Sequence, residues 1–370
     1  MLNLLLVGNW ESGVGYAWRM MEQFWVALAR AYPDRKTVLC FPKVTTVNPD
    51  LVEAGIEIVE FNFDLARPLE LARFIRQHQI GHLYLSDRAY STWVYRLLRF
   101  AGVRTITVHD HTPGPRTVPK GLKRFAKGVS TRLMGADAYI ATSNYVLDRL
   151  RNVALAPANR CFLAQNGVVP NTLTRQHETI RAELGISPDT LLVVSSSRAT
   201  RYKRIDDIIE AAALLKAARP EANVRFIHCG NGPDFDFFSK LVMDRGLQGY
   251  YRLLGARSDM ASVLVGCDIA VHASQGEVGL SLAILEFMSA GLPAVIADDP
   301  SVCQCIRDGD SGLLFRSGSP QDLSAKLLML IDDPALRRRI GQAAQRTATT
   351  EYNLQDTIAS VVTAVKAVAA

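Results

Sequence analysis

Residues 191–204 read LLVVSSSRATRYKR. The opening LLVV is a continuous apolar run, the pattern of a strand covered on both faces. It gives way to three serines and then to a polar loop that opens a helix. Four cations stand in this loop at the carboxyl end of the strand, and Arg198 and Lys203 are the candidates among them, with Arg201 and Arg204 as further scattered charges. In open parallel sheets, ligands lie beyond that edge. Lys supplies a point charge and Arg a planar fork, so together they suit a diphosphate.

The same rhythm extends in both directions. Upstream, strand-like runs at 2–7, 36–41, 56–63, 82–86, 104–109 and 138–142 alternate with helix-like stretches at 15–29, 68–77, 92–100 and from Asn144. Downstream, strands are expected at 224–229, 251–254, 269–272 and 293–297, with later helices at 320–331, 334–347 and 353–370. Strand–helix alternation means parallel strands with helical crossovers, so the fold class is α/β with two doubly wound sheets. Two such Rossmann-like domains facing each other define a central cleft. The polar stretch 168–189, with Pro170 and Pro188, reads as the linker. The expected domains are 1–168, 169–352 and a C-terminal helix at 353–370 that packs back on the first.

Composition narrows the function. At 370 residues and 48% hydrophobic, the chain is long enough for two cores. Its first apolar run is short and lacks a basic leader, so it reads as a strand and not as a signal peptide. No run approaches a membrane span, and a cytoplasmic protein is expected. The six cysteines sit mostly in apolar runs, which suits reduced core thiols. Cys303 and Cys305 are the one close pair, and nothing completes a zinc site around them. Net charge is +6. Between Asp110 and Asp137 there is no acidic residue, while Arg116, Lys120, Lys123, Arg124, Lys127 and Arg132 fall inside. Phe125 is the sole aromatic there, so nucleic acid is not the expected partner.

Five stretches then carry a family likeness: SSSRATRYK, HCGNGP, LLGARSDM, GLSLAILEFMSAGLPAV and DGDSGLLF. In order and spacing they resemble the GT-B glycosyltransferases, specifically the large retaining family 4, also called glycosyl transferases group 1. The resemblance covers nearly the whole chain and is strongest over 191–315. It implies a GT-B fold, a nucleoside-diphosphate sugar as donor substrate, no further cofactor and no bound metal. It also implies transfer to an acceptor hydroxyl with retention, in bacterial glycolipid, lipopolysaccharide or exopolysaccharide synthesis.

By that resemblance Arg198 and Lys203 hold the donor diphosphate. The segment 279–290 reads as a helix, apolar on most faces, whose only charge is Glu286. Its first N–H groups would favour phosphate, so Gly279, Leu280, Ser281 and Leu282 are candidate donor contacts. A lone carboxylate in so apolar a helix needs a partner or ligand, and the resemblance assigns Glu286 to ribose hydroxyls. The family places another Glu eight positions earlier. Here that position is Val278, and Glu277 lies one residue before it as the candidate for sugar contact. Arg257, after LLG, falls where family members contact the base.

The first strand leads into NWESGVG, in which Gly13 and Gly15 would let backbone N–H groups approach a phosphate. The third fingerprint position of a dinucleotide site is Trp18, so NAD is weakly supported. His109 ends the strand RTITV, where the resemblance puts a histidine against the donor sugar. His111 is an alternative at the same edge. The stretch 116–132 spaces Leu122, Phe125, Ala126 and Val129 among cations, a basic amphipathic helix. Peripheral contact with the inner face of the cytoplasmic membrane and a lipid-linked or saccharide acceptor would fit it, and a solvated cationic helix is the competing reading. Rival functions are a GT-B nucleotide-sugar epimerase, a non-catalytic sugar-nucleotide-binding protein and, third, a dehydrogenase.

Overall fold

The computed structural model describes residues 2–13, 19–173 and 179–369. In the first half, the apolar runs form β1 (Asn3–Val7), β2 (Thr37–Phe41), β3 (Glu57–Glu60), β4 (Ile80–Ser86), β5 (Thr105–Asp110), β6 (Ala138–Ala141) and β7 (Cys161–Leu163). They pair in the order β3-β2-β1-β4-β5-β6-β7, with every pairing parallel. The connecting helices are α1 (Arg19–Ala31), α2 (Pro49–Glu53), α3 (Pro68–Gln77), α4 (Trp93–Ala101), α5 (Gly121–Met134) and α6 (Asn144–Asn152). All residues of β2 and β4 are buried, as strands covered on both faces require.

The second half begins with α7 (Thr179–Leu184) and β8 (Leu191–Ser196), then α8 (Ile205–Ala218) and β9 (Val224–Cys229). Next come α9 (Phe235–Asp244), β10 (Tyr251–Gly255), α10 (Met260–Val265), β11 (Ile269–His272) and α11 (Leu282–Ser289). After β12 (Ala294–Asp298) and β13 (Leu313–Arg316), the chain ends in α12 (Pro320–Asp332), α13 (Pro334–Glu351) and α14 (Leu354–Ala369). Its sheet is also parallel, in the order β10-β9-β8-β11-β12-β13. One apolar cluster, including Ile209, Leu215, Phe226, Leu323 and Leu327, covers one side. A second, including Val263, Ile284, Leu285, Phe287 and Ala344, covers the other. The two doubly wound sheets expected from the sequence are both present.

In each sheet the winding direction reverses once: between β1 and β4 in the first, between β8 and β11 in the second. Loops leaving adjacent strands toward opposite faces open a crevice there.

Local signals account for many helix ends. Thr92 and Ser143 cap α4 and α6 through side chains that accept from Val94 N and Val146 N. Gly102, at φ +126°, stops α4 in a conformation that side chains disfavour. Asp333 accepts from Ala335 N and Leu336 N at 2.9 Å, and Pro334 occupies the first turn, which separates α12 from α13.

The chain forms two compact units: 1–112 with 116–165 and 355–370, and 113–115 with 166–354. In the first unit, Thr357 Oγ1 donates to Gln165 O at 2.7 Å, and Val361, Ala364 and Val365 of α14 are buried. Four elements escaped the sequence reading, the short helix α2 (Pro49–Glu53) among them. The three-residue β7 and four-residue β13 are too short to show a period. Within the polar stretch read as a linker, α7 forms because Ile180 and Arg181 are both buried. Arg181 donates to Gly266 O at 2.9 Å, to Ser187 O at 3.0 Å and to Thr190 O at 2.7 Å, and it meets Asp268. Its side chain is 3% exposed.

Removing one partner of a buried ion pair leaves the other charge uncompensated. Arg181→Ala is therefore expected to lower stability by about 3–5 kcal/mol. Urea unfolding of the two proteins, at equal denaturant slope, checks this.

Candidate functional site

At the reversal between β8 and β11, the loop after β8 carries Arg198 and Lys203, and the loop after β11 carries Glu277. These loops are joined by an ion pair. Lys203 Nζ meets Glu277 Oε1, with both side chains 11% exposed. The same oxygen accepts from Ser274 Oγ at 2.7 Å and lies 3.4 Å from His272 Nε2. Glu277 N donates to Ser301 Oγ at 3.0 Å, and Ser301 Oγ donates to Asp299 at 2.5 Å. Among the described residues, Glu277 Oε2 has no hydrogen-bond partner. Burial alone would raise the Glu277 pKa. The bond from His272 and the charge of Lys203 outweigh it and hold the carboxyl well below its ordinary range.

The cations around Lys203 are not equivalent. Arg204 sits in the left-handed region at φ +53° and forms a bidentate pair with Asp207, at 2.9 and 2.8 Å. Arg201 packs 3.9 Å from the centroid of the Phe237 ring and lies 4.0 Å from Asp206. Arg198 is exposed and meets no carboxylate among the described residues. The sequence singled out Arg198 and Lys203, but not which of the four cations are engaged by carboxylates.

The helix predicted over 279–290 is shorter: α11 begins at Leu282, with Ser281 as its N-cap. Gly279, at φ +86°, and Leu280 belong to the approach, where Gly279 N donates to Ser301 O at 2.5 Å and Leu280 bridges Cys303. The Ser281 side chain makes no capping bond. The first N–H groups of α11 have no intrahelical acceptors and carry partial positive charge. Glu286 is half-buried on this helix. One strand away, His228 Nδ1 lies 2.8 Å from Ser195 Oγ and Nε2 lies 3.1 Å from Ser197 O. The carbonyl requires Nε2–H, so Nδ1 accepts from the serine. Burial lowers the His228 pKa to about 4, so this fixed ring supports the β8 loop in its neutral form.

Arg257 stands apart from this network. Its guanidinium is bidentate with both Glu183 and Asp259, at 2.6–3.0 Å. Four of its five N–H donors are thereby engaged.

In the first unit, Gly15 lies outside the described residues. Gly13 approaches Thr45 so closely that a Cβ would stand 2.4 Å from its Oγ1. Asn9 Nδ2 donates to Ser86 O at 2.7 Å, linking the loops after β1 and β4. His109 is fully buried, 2.6 Å through Nδ1 from Tyr84 Oη, and its Nε2 has no partner among the described residues. The His111 ring is 4.0 Å from it. Beside them Asp110 pairs with buried Arg149 at 2.8 Å and accepts from Tyr90 Oη at 2.5 Å. Sequence reading missed Tyr84, Arg149, His272, Ser274 and Ser301, which lie far from their partners along the chain or look like ordinary strand ends.

The basic helix α5 forms as expected and is poorly covered. Thr131 is its one buried residue, while Leu122 is 81% and Phe125 70% exposed. Val129 and Leu133 are exposed on the same spacing.

Because the folded pKa of Glu277 is depressed, its stabilising contribution is complete above the ordinary carboxylate value. It is lost as pH falls toward and through the folded value. Glu277→Gln should thus lower stability by about 1–3 kcal/mol at neutral pH, with the gap closing as the solution is acidified. Thermal melts of both proteins at several pH values check the sign.

Residues 176–347 match the family model "Glycosyl transferases group 1", and residues 21–172 match "Glycosyltransferase Family 4". D-inositol 3-phosphate glycosyltransferase of Corynebacterium aurimucosum is 30% identical over 176 residues, 46% of this chain and 42% of that protein. The lipopolysaccharide core biosynthesis glycosyltransferase LpsE of Rhizobium meliloti is 28% identical, over 47% of this chain and 49% of that one. The chain thus spans about half the length of the curated relatives it matches. Among solved structures, Anabaena Alr3699/HepE in complex with UDP-glucose superposes with TM-score 0.76 at 19% identity, covering 99% of this chain and 100% of that one. At that identity the likeness shows the fold, which is GT-B. Its two α/β units and the two family matches place this chain among the GT-B glycosyltransferases of the group 1 and family 4 type.

Proposed function

We propose that the protein moves a sugar from a nucleoside-diphosphate sugar to an acceptor hydroxyl, with retention of anomeric configuration, in the synthesis of a bacterial glycolipid, lipopolysaccharide or exopolysaccharide. The observation that carries this reading is the cationic crevice at the β8/β11 reversal. There Arg198, which meets no carboxylate among the described residues, the ammonium of Lys203 and the uncapped start of α11 all belong to two adjoining loops. Departure of a nucleoside diphosphate builds negative charge on phosphate oxygens, and preorganised cations and N–H groups stabilise it where it develops. Lys203 gives one donor to Glu277 and keeps two for phosphate. Glu286 accepts from ribose hydroxyls. Glu277 Oε2 accepts from a sugar hydroxyl, so a carboxylate one residue from the family's usual position still serves the sugar. On the family resemblance, His109 at the carboxyl edge of β5 is assigned to substrate. Retention follows a front-face route in which the leaving phosphate assists the incoming hydroxyl, with no nucleophile from the protein. The UDP-glucose bound by the Anabaena neighbour and the lipopolysaccharide role in the LpsE name support donor class and pathway.

The membrane is proposed as the acceptor's setting. Among the described residues no helix is long and apolar enough to cross it. Helix α5 instead presents an apolar stripe flanked by cations, in a stretch without acidic residues. Each Lys or Arg near an anionic surface contributes about 1 kcal/mol of attraction.

A thermal-shift panel of UDP-, GDP- and ADP-sugars should find at least one that raises the melting temperature, and no shift from any would overturn the donor reading. For that ligand, Lys203→Ala should weaken binding about 10–100-fold, since a charge-assisted bond is lost and Glu277 is left facing phosphate. The full chain should sediment with vesicles containing anionic lipid at low salt, and Phe125→Ser with Leu122→Ser should release it. Equal binding by the variant would remove the membrane proposal.

A further inference from the structure

His109 and Tyr84 lie on adjacent strands, paired in the register Ser86↔His109 and Tyr84↔Thr107. Tyr84 is fully buried, and His109 Nδ1, at 2.6 Å, is the only hydrogen-bond partner of its hydroxyl among the described residues. His109 Nε2 is buried and has no partner among the described residues. The ring is held in place by Phe24 at 5.5 Å, His111 at 4.0 Å and Tyr84 at 6.0 Å between centroids. Burial, and then His111, keep the His109 pKa far below its ordinary value, so at neutral pH the ring is uncharged. Burial also pushes the Tyr84 phenol well up, so it keeps its proton.

A neutral imidazole has two tautomers, and hydrogen-bond accounting decides between them. With the proton on Nδ1, that N–H would donate to the tyrosyl oxygen. The Tyr84 proton would then have no acceptor and Nε2 no donor, so two buried groups would be unsatisfied. With the proton on Nε2, Tyr84 donates to Nδ1, and only the Nε2–H is left. Each unsatisfied buried polar group is costly, so the second arrangement is favoured.

We propose that Tyr84 is a positioning residue that holds His109 in the Nε2–H tautomer, so that the imidazole meets substrate as a hydrogen-bond donor and not as a base. The proposal rests on the assignment of His109 to substrate in the preceding reading. Its Nε2 cannot take a proton, because it already carries one, and Nδ1 is occupied by the tyrosine. What remains is an N–H with no acceptor among the described residues, matched to an oxygen of the sugar or of its leaving group. Tyr84 never touches the substrate.

Imidazole nitrogen spectra of the full chain, labelled with 15N-histidine, read the tautomer directly, and His109 is identified by the signal missing in His109→Gln. The wild type should show the Nε2-protonated pattern. Tyr84→Phe, which keeps the ring and removes the hydroxyl, should shift that signal toward the Nδ1-protonated form or an average of the two. A wild-type proton on Nδ1, or an unchanged pattern in Tyr84→Phe, would overturn the proposal. In sugar transfer, His109→Ala should lower kcat about 100-fold, while His109→Gln, whose amide N–H reaches a similar place, should recover about tenfold of that loss. A Gln variant no better than Ala would overturn the donor role. Absence of transfer by the wild type would count against the proposed activity, and the spectra would still decide the tautomer.

Discussion

A carboxylate withdrawn from water must find its compensation on the spot, and this requirement shapes the loops around Glu277. Three donors from three residues converge on one of its oxygens, and its own N–H is tied to Ser301. One of those donors, Lys203, comes from the loop after β8, while Glu277 comes from the loop after β11. The ion pair therefore fixes two chain segments that the sheet directs to opposite faces. Arg198 lies on the first segment, and the start of α11 follows the second.

The first unit solves a similar problem differently. Asp110 is buried with Arg149 and is further satisfied by Tyr90 and Thr112. Two residues earlier on β5, Val108 is core; between them His109 has one nitrogen matched and the other unmatched. Completeness beside incompleteness on one strand end is informative. A fully paired carboxylate gives rigidity, and a half-paired imidazole gives something to offer.

Much of the architecture was legible because parallel strands buried on both faces leave continuous apolar runs, such as LLLV in β1 and LLVV in β8. Helix limits were legible where capping chemistry marks them, as at Ser319-Pro320 and Asp333-Pro334. The start of α11 was not, because Gly279, Leu280 and Ser281 look like a helical turn and are drawn into contact with Ser301 and Cys303. At the site, Arg198, Lys203, Glu277 and Glu286 were all singled out. Their division into engaged and disengaged charges was not, since it depends on which carboxylates fold alongside them. Arg257 illustrates this: its two partners lie 74 residues before it and two after. Tyr84 was illegible for a simpler reason. In a strand buried throughout, a tyrosine reads as core, and only its hydroxyl's single partner reveals the second duty.

The crossing of the chain at 165–166 and again at 354–355 has a temporal meaning. Helix α14 supplies buried Val361 and Val365 to the unit whose strands are made first. On the ribosome, that unit must wait for the whole of the other to be synthesised before its last helix arrives. Domains emerging in order usually finish folding in order. Here the later-made unit, contiguous but for three residues, can reach its native packing while the earlier one still exposes an uncovered apolar surface. Chaperone dependence during synthesis should therefore concentrate on the half that is translated first.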